Sequence, residues 1–127
     1  MENIETHRYE LGKTGEDIAC DFLQKRGHVI LERNFRSGHL EIDIISSDAC
    51  GIHFVEVKTR RFSVQAPPQE SVTPVKQRRI VRAASQYLKA RKSLGNPECF
   101  FDVFAVTFNP ESITTEWIPQ AFIPIYK

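Results

Sequence analysis

Two short apolar runs restrict what this chain can fold into: Glu41-Ile42-Asp43-Ile44-Ile45 and Phe54-Val55-Glu56-Val57-Lys58. β-Branched and aromatic residues in runs of this length read as strands, here about His39–Ser46 and Ile52–Thr59. Between Ser47 and Ile52 stands Asp48-Ala49-Cys50-Gly51. Asp first and Gly last suits a type I turn at a hairpin tip. Pairing Ser47 with Ile52 sets Ile45 against Phe54, Asp43 against Glu56 and Glu41 against Lys58. Opposed residues share a face, with Cβ atoms about 4.5–5.5 Å apart. Lys58 follows Glu56 by two and shares that face. A one-residue slip would oppose Asp43 to a valine and dissolve the cluster. Carboxylates in apolar strands are costly unless they are paired or bind a metal.

The flanking sequence supplies layers for such a hairpin. From about Tyr9 to Arg26, Leu11, Ile18, Ala19, Phe22 and Leu23 recur at helical spacing. Lys25-Arg26-Gly27 ends that helix. Glu16 falls at the edge of its apolar stripe, while Asp17 and Asp21 point outward to solvent. Val29–Phe35 reads as a strand broken by Arg36-Ser37-Gly38. Arg60 to Val72 reads as a long loop containing Pro67-Pro68. Thr73 as N-cap and Pro74 in the first turn start a second helix that runs to about Lys92. Ile80, Ala84, Tyr87, Leu88 and the stem of Arg91 form its buried stripe. Arg78, Arg82 and Lys89 face the other way with Arg79 nearby, and Lys76 near the edge can reach back toward the third strand. After Leu94-Gly95-Asn96-Pro97, Phe100–Phe108 and Ile113–Ile118 read as two further strands. The order αβββαββ predicts one α/β domain over residues 1–127, core about 9–118, with a mixed central sheet flanked by helices.

The 127 residues suit one domain. No apolar run approaches the roughly 18 residues of a membrane span, and the first residues lack the pattern of a signal peptide, so a cytoplasmic, membrane-free protein is expected. Cys20, Cys50 and Cys99 form no C-x-x-C pair, so neither a disulfide framework nor a zinc site is expected. His7, His28, His39 and His53 lack ligand-type spacing and read as surface or strand residues. The small net charge hides a segregation. Ten of the 17 basic residues but only one of the 16 acids, Glu70, lie between Val57 and Lys92, leaving +9 there and −8 elsewhere. Such asymmetry suggests an electropositive face for a polyanion, although a solvated helix face has the same composition.

Together these features suggest phosphodiester hydrolysis. That reaction needs an activated water, neutralised phosphate charge and a stabilised leaving oxygen, all of which Mg²⁺ can supply. Mg²⁺ takes hard oxygen ligands and keeps several waters. Asp43, Glu56 and the backbone carbonyl of Val57 are the expected ligands, with Lys58 orienting or deprotonating the attacking water. Arg60 and Arg61 follow beside Lys58. Asp102 interrupts the apolar run Phe100–Phe108. It is expected to hold a basic group such as Lys76 or to cap a buried polar network rather than to bind metal. Trp117 and the tyrosines read as packing residues.

Gly38 with Glu41-Ile42-Asp43-Ile44-Ile45, then Phe54-Val55-Glu56-Val57-Lys58-Thr59-Arg60, resembles the PD-(D/E)xK nuclease superfamily. More closely, the chain resembles the YraN-like family of predicted bacterial endonucleases, akin to archaeal Holliday junction resolvases. Gly15-Glu16 with Ala19, Asn34 and Arg36, Val72-Thr73 with Lys76 and Arg79, Phe101-Asp102-Val103 and Ala121-Phe122 extend the match over nearly the whole chain. One departure is that His39-Leu40 stand between Gly38 and Glu41, where the family usually has Gly directly before Glu-Ile-Asp. The resemblance implies a restriction-endonuclease-like core and a catalytic triplet of Asp43, Glu56 and Lys58. It adds Glu16 as an auxiliary acid, Lys76 near the phosphate, and Mg²⁺ as cofactor with Mn²⁺ able to substitute. The expected substrate is structured or branched DNA, and cutting a junction would require a homodimer. Two alternatives stay open: a catalytically weak nucleic-acid-binding subunit of a DNA-processing complex, and an interaction domain whose basic helix binds an acidic protein.

Overall fold

Thr73 and Pro74 start a helix as their chemistry requires: the Thr73 hydroxyl accepts the backbone N–H of Lys76, and Pro74 occupies the first turn. In the computed structural model, which describes residues 11–62 and 67–124 (the first four as backbone only), seven main elements follow in order. They are α1 (Leu11–Lys25), β1 (Val29–Ser37), β2 (Leu40–Ser47), β3 (Ile52–Arg61), α2 (Pro74–Ala90), β4 (Cys99–Phe108) and β5 (Ile113–Ile118). Short 3₁₀ turns lie at Pro68–Ser71 and Lys92–Leu94. The expected start of the first helix at Tyr9 lies outside the described residues.

The strands form one sheet in the order β1-β2-β3-β4-β5. All neighbours are antiparallel except β3 and β4, which α2 connects as a crossover. The helices pack on opposite faces. Ala19 and Leu23 of α1 join Ile44, Val55, Phe104 and Val106 in one core. Ile80, Ala83, Ala84 and Tyr87 of α2 join Ile45, Phe54, Phe101 and Val103 in the other. Along β3 and β4 successive residues feed alternate cores, as the two-residue period demands. The result is a single α/β domain with a mixed five-stranded sheet, consistent with a restriction-endonuclease-like fold.

Three boundaries differ from expectation. β1 runs on through Arg36 to Ser37, because those residues pair with Glu41 and Leu40. The break is the two-residue connection Gly38-His39, where Gly38 takes φ +61°, the positive angle that tight hairpins favour at their first central residue. This accounts for the spacing of Gly38 from Glu41. β3 also continues through Arg60 and Arg61, held by parallel pairing with Thr107 and Phe108. These two arginines are therefore strand residues rather than the start of a loop. Finally, α2 ends at Ala90, and a 3₁₀ turn takes over at Lys92.

No helix among the described residues is long and apolar enough to cross a membrane.

Candidate metal centre

The hairpin register follows the turn for four pairs, Ser47 with Ile52, Ser46 with His53, Ile45 with Phe54 and Ile44 with Val55, and then stops. The next positions, Asp43 and Glu56, are not paired. Instead the Val57 N–H donates to Asp43 Oδ2 at 2.8 Å. The aspartate side chain thus takes a backbone donor that the ladder would otherwise have used, and the strands part there. Glu41 likewise pairs with Arg36 of β1 and not with Lys58. The expected strand pairs Asp43–Glu56 and Glu41–Lys58 are replaced by this split.

The backbone is also unusual on the β1 side of Asp43. Asn34 adopts φ +53°, a left-handed conformation that asparagine tolerates better than most residues. Asn34 stands where Asp43 would pair, between the Arg33–Ile44 and Phe35–Ile42 pairs. Alternation fails across this point. Ile42 joins the α2 core and Ile44 the α1 core, although they are two residues apart on one strand. That change of side falls at Asp43, beside the opening between β2 and β3.

Two helices bring further charge to the opening. Gly15 lies against Thr59 of β3 so closely that an added Cβ would collide with the Thr59 hydroxyl oxygen. This approach sets the next residue, Glu16, beside the sheet. Glu16 Oε2 stands 3.7 Å from Arg33, whose guanidinium bonds Asp17 at 2.7 Å. Asp17 is therefore engaged by β1 and not merely solvated. From the other face, Lys76 in the first turn of α2 reaches Glu56, with Nζ 2.9 Å from Oε1. The Glu56 side chain is only 12% exposed, whereas Lys76 is 43% exposed. Strand alternation puts Lys58 on the same face as Glu56.

The electrostatics are those of a site short of positive charge. Burial pushes the Asp43 carboxyl up, the charge of Glu56 pushes it further, and Glu16 and Glu41 add to this. The Val57 N–H opposes them, and the net result is a pKa of about 7. A divalent cation would remove that penalty, since the donors available are hard carboxylate oxygens. The Val57 carbonyl leaves its strand on the same side as the Val57 N–H and so opens toward Asp43. Asp43, Glu56 and this carbonyl thus fit Mg²⁺ or Mn²⁺ by ligand type and by the unbalanced charge.

The remaining expected residues fall in two places. Arg78, Arg79, Arg82 and Lys89 are exposed on α2. Arg78, Arg82 and Lys89 line a shallow groove that Ile123 and Pro124 close on one side. Arg61 is exposed at the end of β3, and Arg60 beside it is half-buried. Asp102 lies away from this centre. Its Oδ2 bonds His53 Nδ1 at 2.7 Å and its Oδ1 accepts the Gln120 N–H at 2.9 Å. It holds a buried network on the α1 side of the sheet, and its partner is a histidine rather than Lys76. His53 is a strand residue of β3, as expected, whereas His28 is neither in a strand nor at the surface. His28 and His53 are both buried, at 5% exposure each, with ring centroids 4.5 Å apart. They lie 25 residues apart in sequence, too far for local spacing to connect them. Cys20, Cys50 and Cys99 are free thiols.

The fold and this cluster define an α/β domain of restriction-endonuclease-like architecture with a carboxylate-lined split in its sheet. Residues 15–106 match the uncharacterised protein family UPF0102, and the chain belongs to that family. It is 47% identical over 98 residues to a UPF0102 protein of Chlorobium phaeobacteroides, covering 77% of each chain. It is 43% identical over 116 residues to one of Geobacter metallireducens, covering 91% of this chain and 94% of that one. A UPF0102 protein of Coxiella burnetii is 40% identical over 112 residues, covering 88% and 91%.

Proposed function

We propose that this protein is a metal-dependent endonuclease of the PD-(D/E)xK type that hydrolyses phosphodiester bonds in structured or branched DNA. The observation that carries the reading is the Asp43 carboxylate, raised to about pH 7 beside Glu56 at the point where β2 and β3 part. A carboxylate buried next to another acid destabilises the metal-free fold. Its retention makes chemical sense if a cation is recruited there.

When bound, Mg²⁺ would activate a water, neutralise phosphate charge and stabilise the leaving oxygen. Asp43, Glu56 and the Val57 carbonyl would hold it. Lys58, on the face of Glu56, orients the attacking water and stabilises the negative charge that develops on the phosphoryl oxygens. Glu16, brought in by the Gly15–Thr59 contact, acts as an auxiliary acid at the margin. In the metal-free state the Lys76 ammonium serves as counter-ion to Glu56. With a cation in that role, Lys76 would be free to turn toward a phosphate oxygen. Arg60, Arg61 and Arg79 extend the positive surface away from the centre and bind the backbone without reading bases. Cutting both strands of a junction requires two such centres and thus a homodimer, for which the edge strand β5 offers an exposed surface over Ile113–Glu116.

The test is cleavage of duplex, single-stranded and four-way-junction DNA with Mg²⁺ or Mn²⁺. Wild-type protein should cut at least one substrate, and Asp43→Asn and Lys58→Ala should not. Activity that survives in both variants would remove the site assignment. Salt-sensitive binding without cleavage under any metal would favour a binding subunit instead.

A further inference from the structure

At the hairpin tip, away from the split between β2 and β3, three side chains converge that the proposed hydrolysis does not use. His28 follows α1 directly, Asp48 opens the β2–β3 turn, and His53 is the second residue of β3. Each imidazole has its Nδ1 held from behind. His28 Nδ1 meets Ser46 Oγ at 2.9 Å, and His53 Nδ1 meets Asp102 Oδ2 at 2.7 Å. Asp102 is itself fully buried and anchored by the Gln120 N–H. Both rings therefore turn their Nε2 atoms toward the Asp48 carboxylate, His53 at 3.0 Å and His28 at 3.5 Å. The three ligand atoms lie within 4.8 Å of one another.

A metal-free network explains only half of this. His53 is satisfied at both nitrogens, bonding Asp102 and Asp48. His28 gains little: its side chain is 1% exposed, yet its Nε2 is too far from Asp48 for a good hydrogen bond. Imidazoles whose far nitrogen is fixed by a carboxylate or hydroxyl, with Nε2 directed at a shared point, are arranged as metal ligands. Asp48, 21% exposed, gives that point access to solvent.

We propose that His28, Asp48 and His53 bind a zinc-type divalent transition metal ion. Two imidazole nitrogens and one carboxylate suit Zn²⁺ far better than Mg²⁺. Chemically this site is distinct from the oxygen-lined centre at Asp43 and Glu56. Three protein ligands leave a position for water. The ion would tie the hairpin turn to the segment after α1 and to β3, adding to the hydrogen bonds and ring packing already there.

The test uses the full chain, stripped with a chelator and titrated with Zn²⁺ in competition with a chromogenic chelator. Thermal melts are recorded in parallel. Wild-type protein should bind one Zn²⁺ per chain at micromolar affinity or tighter, and its Tm should rise with Zn²⁺. Asp48→Asn keeps an oxygen for the turn N–H groups but loses the charge, and His28→Gln removes a ligand. Each should weaken binding about tenfold or more and abolish the Tm increase. Asp43→Asn/Glu56→Gln should leave Zn²⁺ binding unchanged. Absence of zinc binding in wild type would overturn the proposal. So would binding that survives both single substitutions, or binding lost in the Asp43→Asn/Glu56→Gln protein. Asp48 lies in a turn at the surface, so Asp48→Asn decides the matter even if His28→Gln does not fold.

Discussion

Asp43 is where sequence, fold and proposed chemistry meet in one side chain. An aspartate ordinarily ionises near 3.8, whereas here the carboxyl holds its proton to about pH 7. Between those values the folded chain binds more protons than the unfolded chain. Metal-free stability should therefore fall as pH rises from about 4 to about 7 and then level off. Asp43→Asn removes the titration, so at pH 8 the metal-free variant should exceed wild type by roughly 2–4 kcal/mol in denaturant unfolding. The same substitution should lower cleavage by about a hundredfold or more. Mg²⁺ competes with the proton on Asp43, so its affinity should climb with pH up to about 7 and flatten above, as read by isothermal titration. Lys76 gives a second, separable outcome. Lys76→Met frees Glu56 from its 2.9 Å partner and should tighten Mg²⁺ binding. Cleavage should nevertheless slow, if the released ammonium attends the phosphate.

Elements carry that carboxylate to the right place, and Gly15 is the contact that most exposes how. Gly15→Ala should push α1 off β3 through the Thr59 hydroxyl, costing roughly 1–3 kcal/mol, and should displace Glu16. Thr59→Ala removes the colliding oxygen and should restore most of that stability in the double variant, a coupling that a double-mutant cycle measures. The elements themselves were largely legible in the sequence. Thr73-Pro74 announced α2, and the four-residue turn after Ser47 set the hairpin register for the pairs nearest the tip, because local turn geometry governs them. The failures are non-local. Asn34 carries a positive φ inside a strand opposite Asp43, and the β2–β3 pairing stops just before Asp43; no periodicity reveals either. Arg36, Ser37, Arg60 and Arg61 became strand residues through partners on β2 and β4. His28, Asp48 and His53 meet only because α1, β2 and β3 share one end of the sheet.

For the whole molecule, the charge segregation becomes geometric. Arg61 at the end of β3 and Arg78, Arg79, Arg82 and Lys89 on α2 are exposed, while Asp43, Glu56 and Glu16 gather at the split. DNA held on that face should bind with strong salt dependence. Arg78→Ala and Arg82→Ala should each weaken binding across sequences alike and reduce the slope of log K against log salt by about 1. A buried acidic cluster flanked by a basic surface binds a phosphate backbone productively only if a cation fills the cluster. The central claim is thus that the parting of β2 and β3 is a cation site. The most direct measurement is anomalous diffraction from crystals of the protein grown with Mn²⁺. The predicted result is a peak roughly 2 Å from oxygens of Asp43, Glu56 and the Val57 carbonyl, with Lys76 withdrawn from Glu56. A map with no density at the split, and the Lys76–Glu56 pair intact at saturating Mn²⁺, would contradict it.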